Sequence, residues 1–274
     1  MMERIRLAFA DGAVIAKRNV IKIKRVPEVL VFVLISPIMF VLLFAYVFGS
    51  AIDIPGGEAG AQAYREFLIG GIFAQTVIFG ATFTGAGLAD DMQKGIIDRF
   101  RSLPMSRSAV VFGRTASDVI YNVCSLVIMG LTGLLVGWRI HNGVVSALAG
   151  FAILLLFAYA FSWLMAYIGL LVPSVEVLNN ASFIVIFPLT FIANTFVPIE
   201  ALPGPLKTFA EWNPVSAVTL AAREAFGNIP PGAPEPEVWS LQNPVAYTLI
   251  WAGIIIAVFA PLAVRQYKRA RTKS

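Results

Sequence analysis

The chain has 274 residues, 58% of them hydrophobic and only 14% charged, with a mean hydropathy of +0.79. That composition excludes an ordinary soluble globular domain and points to a lipid bilayer. The single cysteine, Cys124, excludes an intrachain disulfide and a cysteine-based metal site. The net charge of +5 has no soluble domain to lie on, so nucleic acid is not expected as a partner.

In residues 1–28, Ile5, Phe9, Ala13, Ala16, Val20 and Ile23 recur at helical spacing, with Lys17, Arg18, Lys22, Lys24 and Arg25 off that stripe. This pattern predicts an amphipathic helix lying in the cytoplasmic leaflet, either as a basic anchor or as a contact for a partner subunit. The arm is too long for the charged region of a signal peptide and no cleavage pattern follows it, so the first span is expected to remain. Uncharged apolar stretches then occur at 29–49, 67–89, 119–137, 144–172, 177–198 and 245–264. A bilayer core of roughly 30 Å needs about 20 apolar residues per helix, so six transmembrane helices are expected.

Orientation follows from Lys and Arg. Seventeen fall in the N-terminal arm, the loop after span two and the C-terminal tail, against Arg65, Arg139, Lys207 and Arg223 on the other side. Both termini are therefore expected inside. His141, beside Trp138 and Arg139 in an external turn, is expected to be interfacial or solvated.

In the cytoplasmic loop 90–115, Ile96, Ile97, Phe100 and Leu103 share one face of a short helix that follows Gly95 and is closed by Pro104, while Arg101 points elsewhere. The apolar face has either lipid or a groove on another protein to dock on. The external segment 199–243 is proline-rich. Within it, Asn213 as N-cap, Pro214 at the first helical position and Gly227 as C-cap frame a helix over 214–226. Thirteen residues reach about 20 Å, too short to cross. With Pro203–Trp212 as a shorter partner, either a re-entrant hairpin or a surface loop results. No internal repeat or second domain is evident.

The uncharged stretches contain no obvious proton-loading group. No nucleophile with a base and no metal cluster is present, so an enzyme is not expected. No phosphate-binding loop occurs either, so energy for uphill movement must come from another chain. Near the outer end of span five, Phe187, Phe191, Asn194 and Thr195 are candidates for a substrate path, because Pro188 frees backbone carbonyls nearby. A buried hydroxyl or amide also serves simple helix–helix hydrogen bonding.

The run from Asp91 through Gly95, Asp98, Arg99, Phe100, Arg101, Leu103 and Pro104 to Arg107, with Gly113, Arg114 and Asp118, resembles the cytoplasmic loop of ABC type-2 permeases, particularly the DrrB-like daunorubicin-resistance branch. A second match runs from Phe187-Pro188 through Asn194, Pro198 and Pro203 to Asn213, Pro214 and Arg223. The resemblance implies an all-α integral membrane half-exporter in a bacterial cytoplasmic membrane. It makes Ile96–Leu103, between Gly95 and Pro104, an ATPase-coupling helix, residues 1–28 a connecting helix, and Pro203, Trp212, Asn213, Pro214 and Arg223 parts of an external re-entrant region. It also implies ABC ATPase subunits that carry ATP and Mg, and a second permease copy or a paralogue. The substrate would be an amphiphilic drug, lipid or glycolipid. An ion-coupled carrier or a non-transporting scaffold is the alternative.

Overall fold

The computed structural model describes residues 35, 37–48, 54–55, 61–97 and 107–269. The N-terminal arm and residues Phe100, Arg101, Leu103 and Pro104 of the expected coupling helix lie outside the described residues. Among the described residues all regular structure is helical, as an apolar environment requires of chains that must satisfy their own backbone polar groups.

The chain runs through α1 (Pro37–Val47), which ends in a π-helical stretch over Phe44–Phe48. It continues through α2 (Ala61–Gly80) and α3 (Thr82–Gln93), which form one long rod. Then come α4 (Arg107–Val136), α5 (Gly143–Leu171) and α6 (Val175–Phe191). The remaining helices are α7 (Gly204–Glu211), α8 (Pro214–Phe226), α9 (Trp239–Gln242) and α10 (Pro244–Arg269).

Among the described residues four helices are long and apolar enough to cross a membrane: Gln62–Gln93, Ala109–Val136, Gly143–Leu171 and Pro244–Arg269. The stretches expected at 29–49 and 177–198 are represented by shorter apolar helices, Pro37–Val47 and Val175–Phe191. The 17 residues of α6 reach about 25 Å. The long helices also overrun the uncharged windows read from the sequence. They take in Glu66, Asp91, Arg114 and Asp118, and Asp91 and Asp118 are each only 5% exposed. The expectation of helices free of ionisable groups therefore holds for the apolar windows and not for the helices themselves, because paired charges are carried inward on the helix ends.

α5 is the hub. It is apolar on every face and packs against α10, α3, α8, α4 and α2. Its approach to α3 is close: a methyl group on Gly169 would overlap the Gly85 carbonyl. α8 forms where its caps place it. Asn213 Oδ1 accepts from Val215 N at 2.9 Å, and Gly227 closes the helix at φ 75 in the left-handed region that suits glycine. The stripe Val215, Val218, Ala222 and Phe226 is fully buried in the main core, so it faces the bundle.

The turn between α4 and α5 is tied to both neighbours. Trp138 Nε1 donates to Asn228 Oδ1 at 2.7 Å, and Asn228 Nδ2 donates to the Arg139 carbonyl at 2.8 Å. His141 is half-exposed and its Nε2 lies 3.1 Å from Glu66 Oε1, a partner its isolation in the sequence did not suggest.

Candidate functional site

Phe183, Phe187 and Phe191 recur at intervals of four on α6 and so stack along one face. Their ring centroids are 4.9 Å and 4.0 Å apart. α6 packs chiefly on α3, which leaves this aromatic face beside α1, α2 and α4. The result is a groove of about 280 Å³. Phe40 from α1, Phe79 from α2 and Phe83 from α3 complete its walls. Gln75, Thr76 and Tyr121 also line it. Gln75 and Thr76 are buried, and among the described residues Thr76 Oγ1 and Tyr121 Oη have no hydrogen-bond partner. The groove therefore offers π faces on its walls and unpaired hydroxyls, a combination suited to an apolar body with a few polar groups. Phe183 at 54% and Phe187 at 38% exposure leave one side open.

The four residues expected to form one substrate path are divided by the fold. Phe187 and Phe191 line the groove. Asn194 lines a separate cavity of about 430 Å³ among Glu200, Lys207, Glu211 and Glu224. Thr195 is fully buried in the turn that joins the two regions. Phe191 bridges toward that turn through Phe196, at 4.8 Å between rings. Phe187 and Phe191 were readable from the sequence as candidates. The contributions of Phe40, Phe79, Phe83 and Tyr121 were not, because they come from three other helices.

The turn after α6 is held from a distance. Asn213 Nδ2 donates to the carbonyls of Leu189 and Ile192 at 2.7 and 2.9 Å, and Ser216 Oγ accepts from Asn194 N at 3.0 Å. Arg223, 2% exposed, donates from Nε to the Phe67 carbonyl at 2.8 Å and from Nη2 to the Thr195 carbonyl at 3.2 Å. Its guanidinium lies 3.5 Å from the Phe67 ring centroid. Burial pulls the guanidinium down to about 9, against the influence of Tyr64 and Glu200, so it stays charged at neutral pH. Gly70 makes room for it: a Cβ there would lie 2.7 Å from Arg223 Cγ. Pro203 precedes α7 and Trp212 ends it. The Trp212 carbonyl accepts from Tyr247 Oη at 2.7 Å, which fixes α7 to α10. Pro214 sits in the first turn of α8.

At the opposite end, α3 stops at Gln93, Gly95 turns the chain with φ 64, and Ile96 and Ile97 are helical. Ile97 is 3% exposed and belongs to a buried cluster with Leu88, Val110, Val111 and Trp163 of this chain, which ties the start of the loop to the bundle. The loop's stems are joined by Arg114 Nη1 and Asp91 Oδ2 at 3.9 Å.

Among the described residues the chain is an all-helical bundle with several helices apolar and long enough to cross a membrane, the make-up of a multi-pass membrane protein. The chain belongs to the ABC-2 type transporter family, whose model matches residues 12–226. It is 31% identical to the daunorubicin resistance ABC transporter permease protein DrrB1 of Streptomyces coeruleorubidus, over 92% of this chain and 83% of that protein. It is 23% identical to the probable doxorubicin resistance ABC transporter permease protein DrrC of Mycobacterium tuberculosis, over 87% of this chain and 81% of that protein. The inner membrane transport permease YadH of Escherichia coli is 21% identical, over 75% of this chain and 79% of that protein.

Proposed function

We propose that this chain is the permease subunit of an ATP-driven exporter that moves a hydrophobic or amphiphilic compound out across a bacterial cytoplasmic membrane. Membership of the ABC-2 family supports the transport role, and permeases named for daunorubicin and doxorubicin resistance support the export of amphiphiles. The observation that carries the substrate reading is the groove between α1, α2, α4 and α6, with stacked Phe187 and Phe191 and unpaired polar groups beside them. ATP and Mg belong to a separate ATPase subunit that docks under the 94–106 loop, where Phe100 and Leu103 are the apolar side chains for its groove. A second copy or a paralogue completes the complex. Six spans, cytoplasmic termini and a re-entrant α7–α8 hairpin are part of the same reading, supported by the distribution of Lys and Arg.

The test is purification from the native membrane followed by reconstitution. An ATPase subunit should copurify, its turnover should rise with a lipophilic amphiphile, and Phe187→Ala with Phe191→Ala should lower that stimulation while leaving basal hydrolysis intact. Failure of any ATPase to copurify overturns the proposal. Buried Asp118 favours one rival, an ion-coupled carrier, since carboxylates inside spans mark such pumps. Vesicle transport driven by a proton gradient without ATP would establish that rival.

A further inference from the structure

On α4, Arg114, Asp118 and Asn122 recur at intervals of four and so form one polar row. Each faces a small residue on the adjoining rod. Arg114 lies over Gly87 and Asn122 over Gly80, where a methyl group would overlap Arg114 Nη2 or Asn122 Oδ1 respectively. Between them Asp118 lies near the hydroxyl of Thr84, with Ser162 of α5 on its other side. One end of the row is the Asp91–Arg114 pair at the base of the 94–106 loop. The other end reaches the groove, since Gly80 and Tyr121 both line it.

The row is incompletely satisfied. Asn122 Nδ2 donates to the Asp118 carbonyl at 3.1 Å and lies 3.4 Å from Asp118 Oδ2. Asn122 Oδ1 is buried and has no hydrogen-bond partner among the described residues, and the buried hydroxyls of Thr84, beside Asp118, and of Tyr121 and Ser125, beside each other, make no hydrogen bond of good geometry there. Such groups are costly in a low-dielectric interior, and a conformation that pairs them would offset that cost. Gly87 and Gly80 seat Arg114 and Asn122 as knobs in notches, so an axial shift of α4 would carry each side chain out of one notch and into another. Packed helices that slide do so between discrete arrangements.

We propose that this polar row is the track that carries the stroke of the loop to the groove. α4 shifts axially along α2 and α3, Arg114, Asp118 and Asn122 act as positioning residues, and the polar atoms unpaired here acquire partners in the second register. The inference rests on the ATP-driven reading above.

Cys124, native and exposed on α4, supplies the measurement. Spin labels on Cys124 and on Leu171→Cys of α5 report axial movement, with labelled chains diluted into Cys124→Ser chains in the purified complex. The wild-type distance should change between nucleotide-free and ATP-trapped states. Asn122→Leu should abolish that change and lower export by about tenfold, while ATPase copurification and hydrolysis stay near wild type. The size-swapped pair Gly80→Ala with Asn122→Ala restores fit without the amide, and it should remain defective. If Asn122→Leu does not accumulate, the size-swapped pair decides alone. A wild-type complex that hydrolyses and exports without any distance change, or a size-swapped pair that exports normally, overturns the track. A wild-type complex with no ATP-driven export overturns the function from which the inference starts.

Discussion

Asn213 performs two capping roles at once. Its Oδ1 accepts from Val215 N at the start of α8, and its Nδ2 donates to the Leu189 and Ile192 carbonyls in the last turn of α6 and just beyond it. A spacing argument finds the first role, because the N-cap followed by proline is local. It misses the second, because the acceptors lie 24 and 21 residues away. An Asn213→Ala change removes an N-cap, worth about 1 kcal/mol, and orphans two carbonyls at about 1–3 kcal/mol each. The expected result is a loss of more than about 3 kcal/mol by those figures, read as a lower unfolding midpoint in detergent. Asn213→Asp should retain the cap and recover only part of the loss. Arg223 is similar in kind. From the sequence it was one member of a matching pattern, yet from a fully buried position on α8 it clasps α2 and the turn after α6. Arg223→Met should therefore destabilise the fold and reduce accumulation in the membrane, by about 3 kcal/mol for two unpaired carbonyls. Full stability of that variant would show that water satisfies the Phe67 and Thr195 carbonyls.

At the scale of elements, the helices and their caps were legible because they obey local rules. The apolar windows found the long helices, and Asn213, Pro214 and Gly227 bracketed α8, whereas the row that Phe183 makes with Phe187 and Phe191 emerged only in the structure. The destination of each face was not legible. A stripe such as Val215, Val218, Ala222 and Phe226 fits lipid as well as protein, and only the tertiary arrangement assigns it to the core. The same ambiguity affected Ile97, which belongs to a buried cluster of this chain. Under the proposed docking of an ATPase, Phe100 is the side chain to test. Truncating a well-packed aromatic costs about 3–5 kcal/mol, enough to dissolve a modest interface. Phe100→Ala should leave the protein inserted and abundant but lose the ATPase or uncouple hydrolysis from export, measured together in one membrane preparation. Wild-type retention and export would refute it. Close helix approach gives a further expectation: a methyl group on Gly71 would overlap the Thr195 carbonyl, backbone that cannot swing aside. Gly71→Ala should displace the turn after α6 and lower accumulation, seen by quantitative immunoblotting against wild type.

For the whole molecule, topology is the first thing to measure. Reporters placed after Ser274 and in the 98–106 loop should read as cytoplasmic, and those near Pro231 as external, as the distribution of basic residues requires. An external reading after Ser274 would refute an even number of crossings.

The central position of α5 also bears on how the molecule is made. Its largest neighbour is α10, joined through Tyr167 and Phe259 at 5.9 Å and by Gln266 Nε2 donating to the Leu170 carbonyl at 3.5 Å. Yet roughly 70 residues separate the two helices, which at ribosomal speeds of about 5–20 residues per second is a delay of several seconds. During that interval the cluster that joins Trp163, Ala166 and Leu170 to Leu88, Val110 and Val111 still lacks Ala263 and Tyr267. A nascent chain is therefore most open to mispairing or to membrane proteases just before its last helix emerges. A chain halted at Asn243 should be cleared far faster than one halted at Lys268.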